Sequence, residues 1–272
     1  MTVIAGAFSI GAVICYALCY KMTTERVKTV PDPDAARITL GQTFGAIFRN
    51  RALLAIIGAA IGLLLSQLMS QSMGTYLFQD YFKDTNSLSV INFVGTGATL
   101  LIAPFIRPIT EKFGKKEASA VAMFLAGASY IILYFLRVRS PYVYILLSLG
   151  GYVGISVFNL VIWANITDVI DYQEVMTHQR DDGTVYAVYS FARKIGQALA
   201  GGLTGFALGA IGYDSLAHAQ TEAVNNSIYS VTTLVPGICF LIVALILVFV
   251  YPLSKRKVEE NTAELQRRRE NG

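Results

Sequence analysis

Hydrophobic and polar positions along this chain are segregated into long blocks rather than interleaved. Residues 1–20, 52–79, 85–106, 118–136, 140–167, 195–213 and 223–254 contain no Asp, Glu, Lys or Arg. A helix rises about 1.5 Å per residue, so roughly 20 residues cross a hydrocarbon layer about 30 Å thick. The blocks are of about that length or longer. None shows the two-residue alternation of a membrane β-barrel strand. The pattern predicts an all-α integral membrane protein with about seven transmembrane helices.

Composition agrees, with 54% of the 272 residues hydrophobic and only 15% charged, against about 25% charged in soluble domains. The net charge of +4 does not point to nucleic acid once it is mapped onto the loops. If the first block ends in the cytoplasm and the loops alternate, 19 of the 22 Lys and Arg lie inside. Only Lys83, Arg137 and Arg139 fall outside. The positive-inside rule then predicts a multi-pass protein of the cell membrane with its C-terminus cytoplasmic. No charged segment precedes the first block and no small-residue cleavage site follows it, so it does not read as a signal peptide.

A chain that starts outside, in mid-helix, reads as a truncated one. Residues 1–20 are expected to be the last helix of an N-terminal half that is otherwise missing, and 21–50 a cytoplasmic central linker. Residues 51–253 are then a C-terminal six-helix bundle and 254–272 an amphipathic or solvated cytoplasmic tail, non-specific in sequence. Cys15, Cys19 and Cys239 all lie within apolar blocks, where they read as small hydrophobes. No nucleophile elbow, P-loop, dinucleotide fingerprint or metal-ligand spacing occurs. Neither catalysis, a metal site nor a resident cofactor is expected.

Two polar stretches carry more information. "RPITEKFGKKEAS" (107–119) places an acidic residue, a turn glycine and lysines between two blocks. It resembles the loop signature of the major facilitator superfamily. "DVIDYQEVMTHQRDDGTVYAVYSFARKIGQALAGGLTGFALGAIGY" (168–213) resembles the glycoside–pentoside–hexuronide:cation symporters, the melibiose permease group. That family has Asp-x-x-Asp-Tyr closing its tenth helix, an Arg soon after, and a Lys embedded in its eleventh helix. The matching positions are Asp168, Asp171, Tyr172, Arg180 and Lys194. The resemblance runs through the chain to "VFVYPLSKRKVEE" (248–260).

The resemblance implies a twelve-helix fold of two six-helix bundles, of which this chain would hold helix six and the C-terminal six. It also implies alternating-access symport of a glycoside, pentoside or hexuronide between the halves. The expected partners are a sugar, the lipid bilayer, the missing N-terminal half and a monovalent coupling cation, Na⁺, H⁺ or Li⁺. That cation's site would lie mostly on the missing half. A seven-helix receptor, sensor or scaffold is the alternative. A retinal-type receptor would want a Lys in its last helix, and residues 223–254 contain none.

The candidate site residues follow. Asp168 and Asp171, three apart, share one helix face at a C-terminal end where the macrodipole disfavours negative charge. Either they form a cytoplasmic gate with Tyr172, Arg180 and Arg193, or they are simply solvated. Lys194 lies about 16 Å into its helix if that helix starts near Gly183. There it is either a cavity cation beside Tyr186, Ser190 and Gln197 or an interfacial anchor. For a sugar, whose hydroxyls need amides and whose ring faces suit an aromatic platform, two stripes stand out. One is Tyr152, Ser156, Asn159 and Trp163; the other is Gln67, Gln71 and Thr75. Gly201, Gly205 and Gly209, with Gly58 and Gly62, predict faces of close helix packing.

Overall fold

The computed structural model describes residues 2–23, 50–178, 180, 182–217 and 219–271. Among these residues the secondary structure is entirely helical: α1 (Thr2–Met22), α2 (Arg51–Tyr76), α3 (Asn86–Phe113), α4 (Lys115–Leu136), α5 (Pro141–Thr177), α6 (Asp182–Ala210), α7 (Glu222–Leu245) and α8 (Lys255–Asn271). Both α2 and α7 continue through a π-helical turn, Leu77–Tyr81 and Ile246–Val250. Residues 1–39 form one unit and 40–272 another. Of the first, only α1 is described in any length, a 21-residue apolar helix. The central linker expected over 21–50 lies almost wholly outside the described residues.

Local chemistry sets the helix limits. Asn50 caps α2, its side-chain oxygen accepting from the Leu53 amide at 2.9 Å, and Thr221 caps α7 through the Val224 amide at 3.3 Å. Such caps satisfy amides that the first turn leaves without partners. Between α3 and α4 stands a single residue, Gly114, at φ +101°. A Cβ there would also run into the Glu117 carboxylate, so only glycine permits so abrupt a junction.

The all-α membrane class holds. Among the described residues α3, α4, α5, and α2 and α7 with their π turns, are long and apolar enough to cross a bilayer. At 29 residues α6 is long enough, but Arg193, Lys194, Gln197 and its glycines lower its apolar content below that of the other five. In the second unit α4 packs on α5 and α7, α2 on α6 and α7, and α3 against α5.

Packing in lipid depends on close approach, because hydrocarbon competes equally for apolar side chains. The closest approach joins α4 to α5. A Cβ on Gly154 would stand 2.6 Å from the Ala122 carbonyl and 2.7 Å from the Ala126 methyl. On α2, Gly62 has a comparable role, 2.8 Å from a Val243 methyl. The expectation for Gly201, Gly205 and Gly209 is corrected, since nothing lies within 4 Å of their Cβ positions. The physical reason is rotation. α6 meets α2 through Val185, Tyr189, Ala192, Gly196, Ala200 and Thr204, and the three glycines lie off that stripe.

The two ends of the bundle differ in chemistry. One gathers Arg51, Lys115, Asp168, Arg180 and Lys255. The other gathers Phe78, Tyr81, Phe82, Tyr144 and Tyr229, with ring centroids 4.9–6.2 Å apart. Of the two alternatives for the tail, the amphipathic one describes α8, which lies against the end of α5. Leu265 and Asn261 are buried there, the Arg268 guanidinium is 3.0 Å from His178 Nδ1, and Lys255 donates to the Glu111 carbonyl at 2.6 Å. Alternating apolar and charged positions give α8 one face to bury, which a solvated tail would not need.

Gly154→Leu is expected to force α4 and α5 apart, lowering stability by about 1–3 kcal/mol or more. Gly205→Leu is expected to have little effect. Thermal unfolding of the chain in detergent, followed by circular dichroism, checks both.

Candidate substrate cleft and ionic closure

A cleft of about 390 Å³ opens between α2, α3, α4 and α5. Gln67 and Gln71 come from α2, Asn92 and Thr96 from α3, Tyr130 from α4, and Tyr152, Ser156 and Asn159 from α5. Four carboxamides and several hydroxyls line it, and no charged residue does. Thr99 and Ser156 share a hydrogen bond at 2.7 Å that ties α3 to α5 within the wall. The Tyr152 ring lies on Gly95, where a Cβ would approach Cε1 to 2.7 Å, so the missing side chain lets an aromatic face lie along the cleft. Amides and hydroxyls above aromatic faces suit a polyhydroxylated ring.

The structure brings Gln67, Gln71 and Asn159 together in this cleft and leaves Trp163 out of it. Trp163 lies one turn beyond Asn159 on α5, stacked on Tyr186 of α6 at 5.3 Å and 15°. Its edge meets Tyr189 at 5.8 Å. Arg193, grouped with the gate on sequence grounds, stands instead over the Trp163 ring at 5.6 Å and near Tyr189 at 5.9 Å. Lys194 is exposed and donates to Gln197 Oε1 at 3.3 Å, while Ser190 is also exposed on α6. With α6 starting at Asp182, Lys194 stands about 18 Å along the helix. A cation at such depth is costly without a partner or a wet cavity.

The acidic pair diverges. Both Asp168 oxygens accept from Lys115 Nζ, at 2.7 and 2.8 Å, and the aspartate side chain is only 7% exposed. Asp171 instead takes Arg180 at 3.0 Å, and the same guanidinium reaches Glu174 at 2.8 Å and Asp182 at 3.1 Å. Partial burial works against the Arg180 charge, but hydrogen bonds to Glu174, Asp182 and Asp171 outweigh it and raise its pKa above the ordinary value. Tyr172 packs against the apolar core at this end. Lys116, next to Lys115, turns away to donate to the Tyr251 carbonyl at 2.6 Å. Asn50 donates to Gln173 at 3.2 Å, tying the start of α2 to α5.

Sequence reasoning missed two parts of this arrangement. The α3 wall was visible in principle as Asn92, Thr96 and Thr99 at i, i+4 and i+7, a polar stripe in an apolar helix. Lys115 stood in the quoted loop, but a basic loop does not say which lysine reaches which carboxylate.

Removing Lys115 while leaving Asp168 charged and buried costs more than removing both charges. Lys115→Met is expected to destabilise the chain by about 1–3 kcal/mol, discounted because Lys115 is partly exposed. Adding Asp168→Asn is expected to recover much of that loss. A double-mutant cycle on thermal unfolding measures the coupling.

The profile of the MFS/sugar transport protein family matches residues 1–255. The chain is 30% identical over 267 residues to a glucuronide carrier protein homolog of Escherichia coli, covering 96% of this chain and 56% of that protein. It is 33% identical over 264 residues to a putative sulfoquinovose importer of Escherichia coli, again covering 96% and 56%. It is 27% identical over 266 residues to an uncharacterized symporter of Bacillus subtilis, covering 98% and 57%. The chain thus spans about half the length of the curated relatives it matches. Helices able to cross a bilayer, a cleft suited to a polyol and a profile match over 255 residues agree, and this multi-pass chain belongs to the MFS/sugar transport protein family.

Proposed function

We propose that the chain provides one wall of a sugar pathway in a cation-coupled symporter that works by alternating access. The observation that carries this reading is the uncharged cleft walled by Gln67, Gln71, Asn92 and Asn159. Carboxamides both donate and accept, as sugar hydroxyls do, and the apolar surroundings exclude competing water. A second bundle facing this one, on the same polypeptide or another, would supply the other wall and most of the cation site. Half a cavity cannot alternate access by itself. The coupling ion is Na⁺, H⁺ or Li⁺, and the relative described as a symporter supports coupling.

Lys115 with Asp168, and Arg180 with Asp171, act in this reading as the cytoplasmic closure. They hold α4, α5 and the start of α6 together while the cleft faces outward, and separate when it faces inward. The C-terminus is cytoplasmic, in keeping with the distribution of Lys and Arg. The relatives' names favour an acidic sugar, since a glucuronide carries a carboxylate and sulfoquinovose a sulfonate.

Sugar uptake into membrane vesicles by the full-length gene product tests the proposal. Gln71→Leu and Asn159→Leu are each expected to weaken apparent sugar affinity about tenfold, the cost of leaving a substrate hydroxyl unpaired. Lys194→Gln is expected to abolish gradient-driven accumulation in protein that still folds and inserts. Unchanged uptake in the two cleft variants would remove the cleft from the pathway. Unchanged accumulation in Lys194→Gln would make Lys194 an interfacial anchor.

A further inference from the structure

Arg193 is a half-buried cation with no carboxylate partner among the described residues. Arg180 at the charged end, by contrast, meets three carboxylates. Arg193 stands eleven residues beyond Asp182, about 17 Å along α6. No acidic residue follows Asp182 on α6, and none precedes Asp168 on α5. The counter-charge must therefore come from outside these two helices.

Its surroundings are specific. The guanidinium stands over the Trp163 ring at 5.6 Å and near Tyr189 at 5.9 Å, and Trp163 is itself stacked on Tyr186. A guanidinium can rest its face on an aromatic ring while its edge keeps several N–H donors in one plane. That edge matches the two oxygens of a carboxylate or sulfonate. Lys194, next along the chain, adds a second positive charge whose one polar contact among the described residues is Gln197. On the α5 side, Trp163 is one turn from Asn159, about 6 Å in side-chain spacing. Arg193 thus stands one aromatic ring beyond the Asn159 end of the neutral cleft, on the side toward which a sugar bound there could extend an acidic substituent.

We infer that Arg193, held over Trp163 and Tyr189, is the specificity-determining residue that recognises a carboxylate or sulfonate on the transported sugar. The inference rests on the sugar-pathway reading above and divides its labour. The carboxamides of the cleft take the hydroxyls, which all sugars share, and Arg193 takes the anionic group, which distinguishes acidic sugars from neutral ones.

The chain carries one tryptophan, so its intrinsic fluorescence reports Trp163 directly. Methyl β-D-glucuronide and methyl β-D-glucoside, which differ only at C6, are titrated in phosphatidylcholine nanodiscs against the chain assembled with the second bundle that completes the cleft. Variants that replace every tryptophan outside this chain keep the signal specific, and the absence of acidic lipid keeps headgroups from competing. The glucuronide is expected to shift Trp163 emission saturably, at least about tenfold more tightly than the glucoside. Arg193→Gln is expected to erase that preference, and Arg193→Lys to restore part of it.

Equal responses to the two glycosides, no response to the glucuronide, or an Arg193→Gln variant that keeps the preference would each overturn the assignment. Acetate reproducing the glucuronide response at the same concentration would overturn it too, by making the site a generic anion contact. Uptake of neutral glycosides separates this failure from failure of the transport reading. If uptake persists and still depends on Asn159 while the fluorescence preference is absent, only the role of Arg193 falls.

Discussion

A bilayer offers no water to polar groups, so every amide, hydroxyl and charge within it must find a partner or line a cavity. Most of the second unit's organisation follows from that constraint. Thr and Ser side chains on the long helices bond back to their own carbonyls, as Thr232 does to Ile228 at 2.7 Å and Thr204 to Ala200 at 3.0 Å. Thr99 bonds the Gly95 carbonyl and also meets Ser156 across helices, in the wall of the cleft. Four carboxamides, Gln67, Gln71, Asn92 and Asn159, are grouped where α2, α3 and α5 leave space, whereas Asn165, buried on α5 outside that cleft, has no side-chain hydrogen-bond partner among the described residues.

The same constraint sorts the charges. Among the described residues, carboxylates of the second unit lie toward helix ends, in junctions and in the tail. Asp168, the most enclosed of those at the charged end, has the most direct answer, a lysine on both oxygens. Arg193 and Lys194 break the pattern, because they lie well inside α6 with aromatic rings and one amide for company. A departure from the local rule well inside a long helix of a membrane protein calls for a functional reason more than a packing one.

Much of the fold was legible in the sequence, because span length and the segregation of charge are one-dimensional properties. Gln67, Gln71 and Asn159 were also legible, since an amide on an apolar helix is costly wherever it points. What pairs with what was not. Trp163 shares a stripe with Asn159, and only the approach of α6 puts it on Tyr186 rather than in the cleft. Gly201, Gly205 and Gly209 have the spacing of a packing face, yet the helix is turned so that Gly196 makes the contact. Spacing reports which residues share a face, not which neighbour that face meets.

The one-residue junction at Gly114 fixes more than the direction of the chain. Successive residues of a helix differ in azimuth by about 100°, and Lys115 and Lys116 are the first two residues of α4. Junction length therefore selects between them. One residue fewer in the connection would put Lys116 at the azimuth Lys115 now holds, and one residue more would swing both lysines away from Asp168. The Lys115–Asp168 pair depends on phase as well as charge, so two lysines of identical chemistry have become unequal through the angle at which the helix begins.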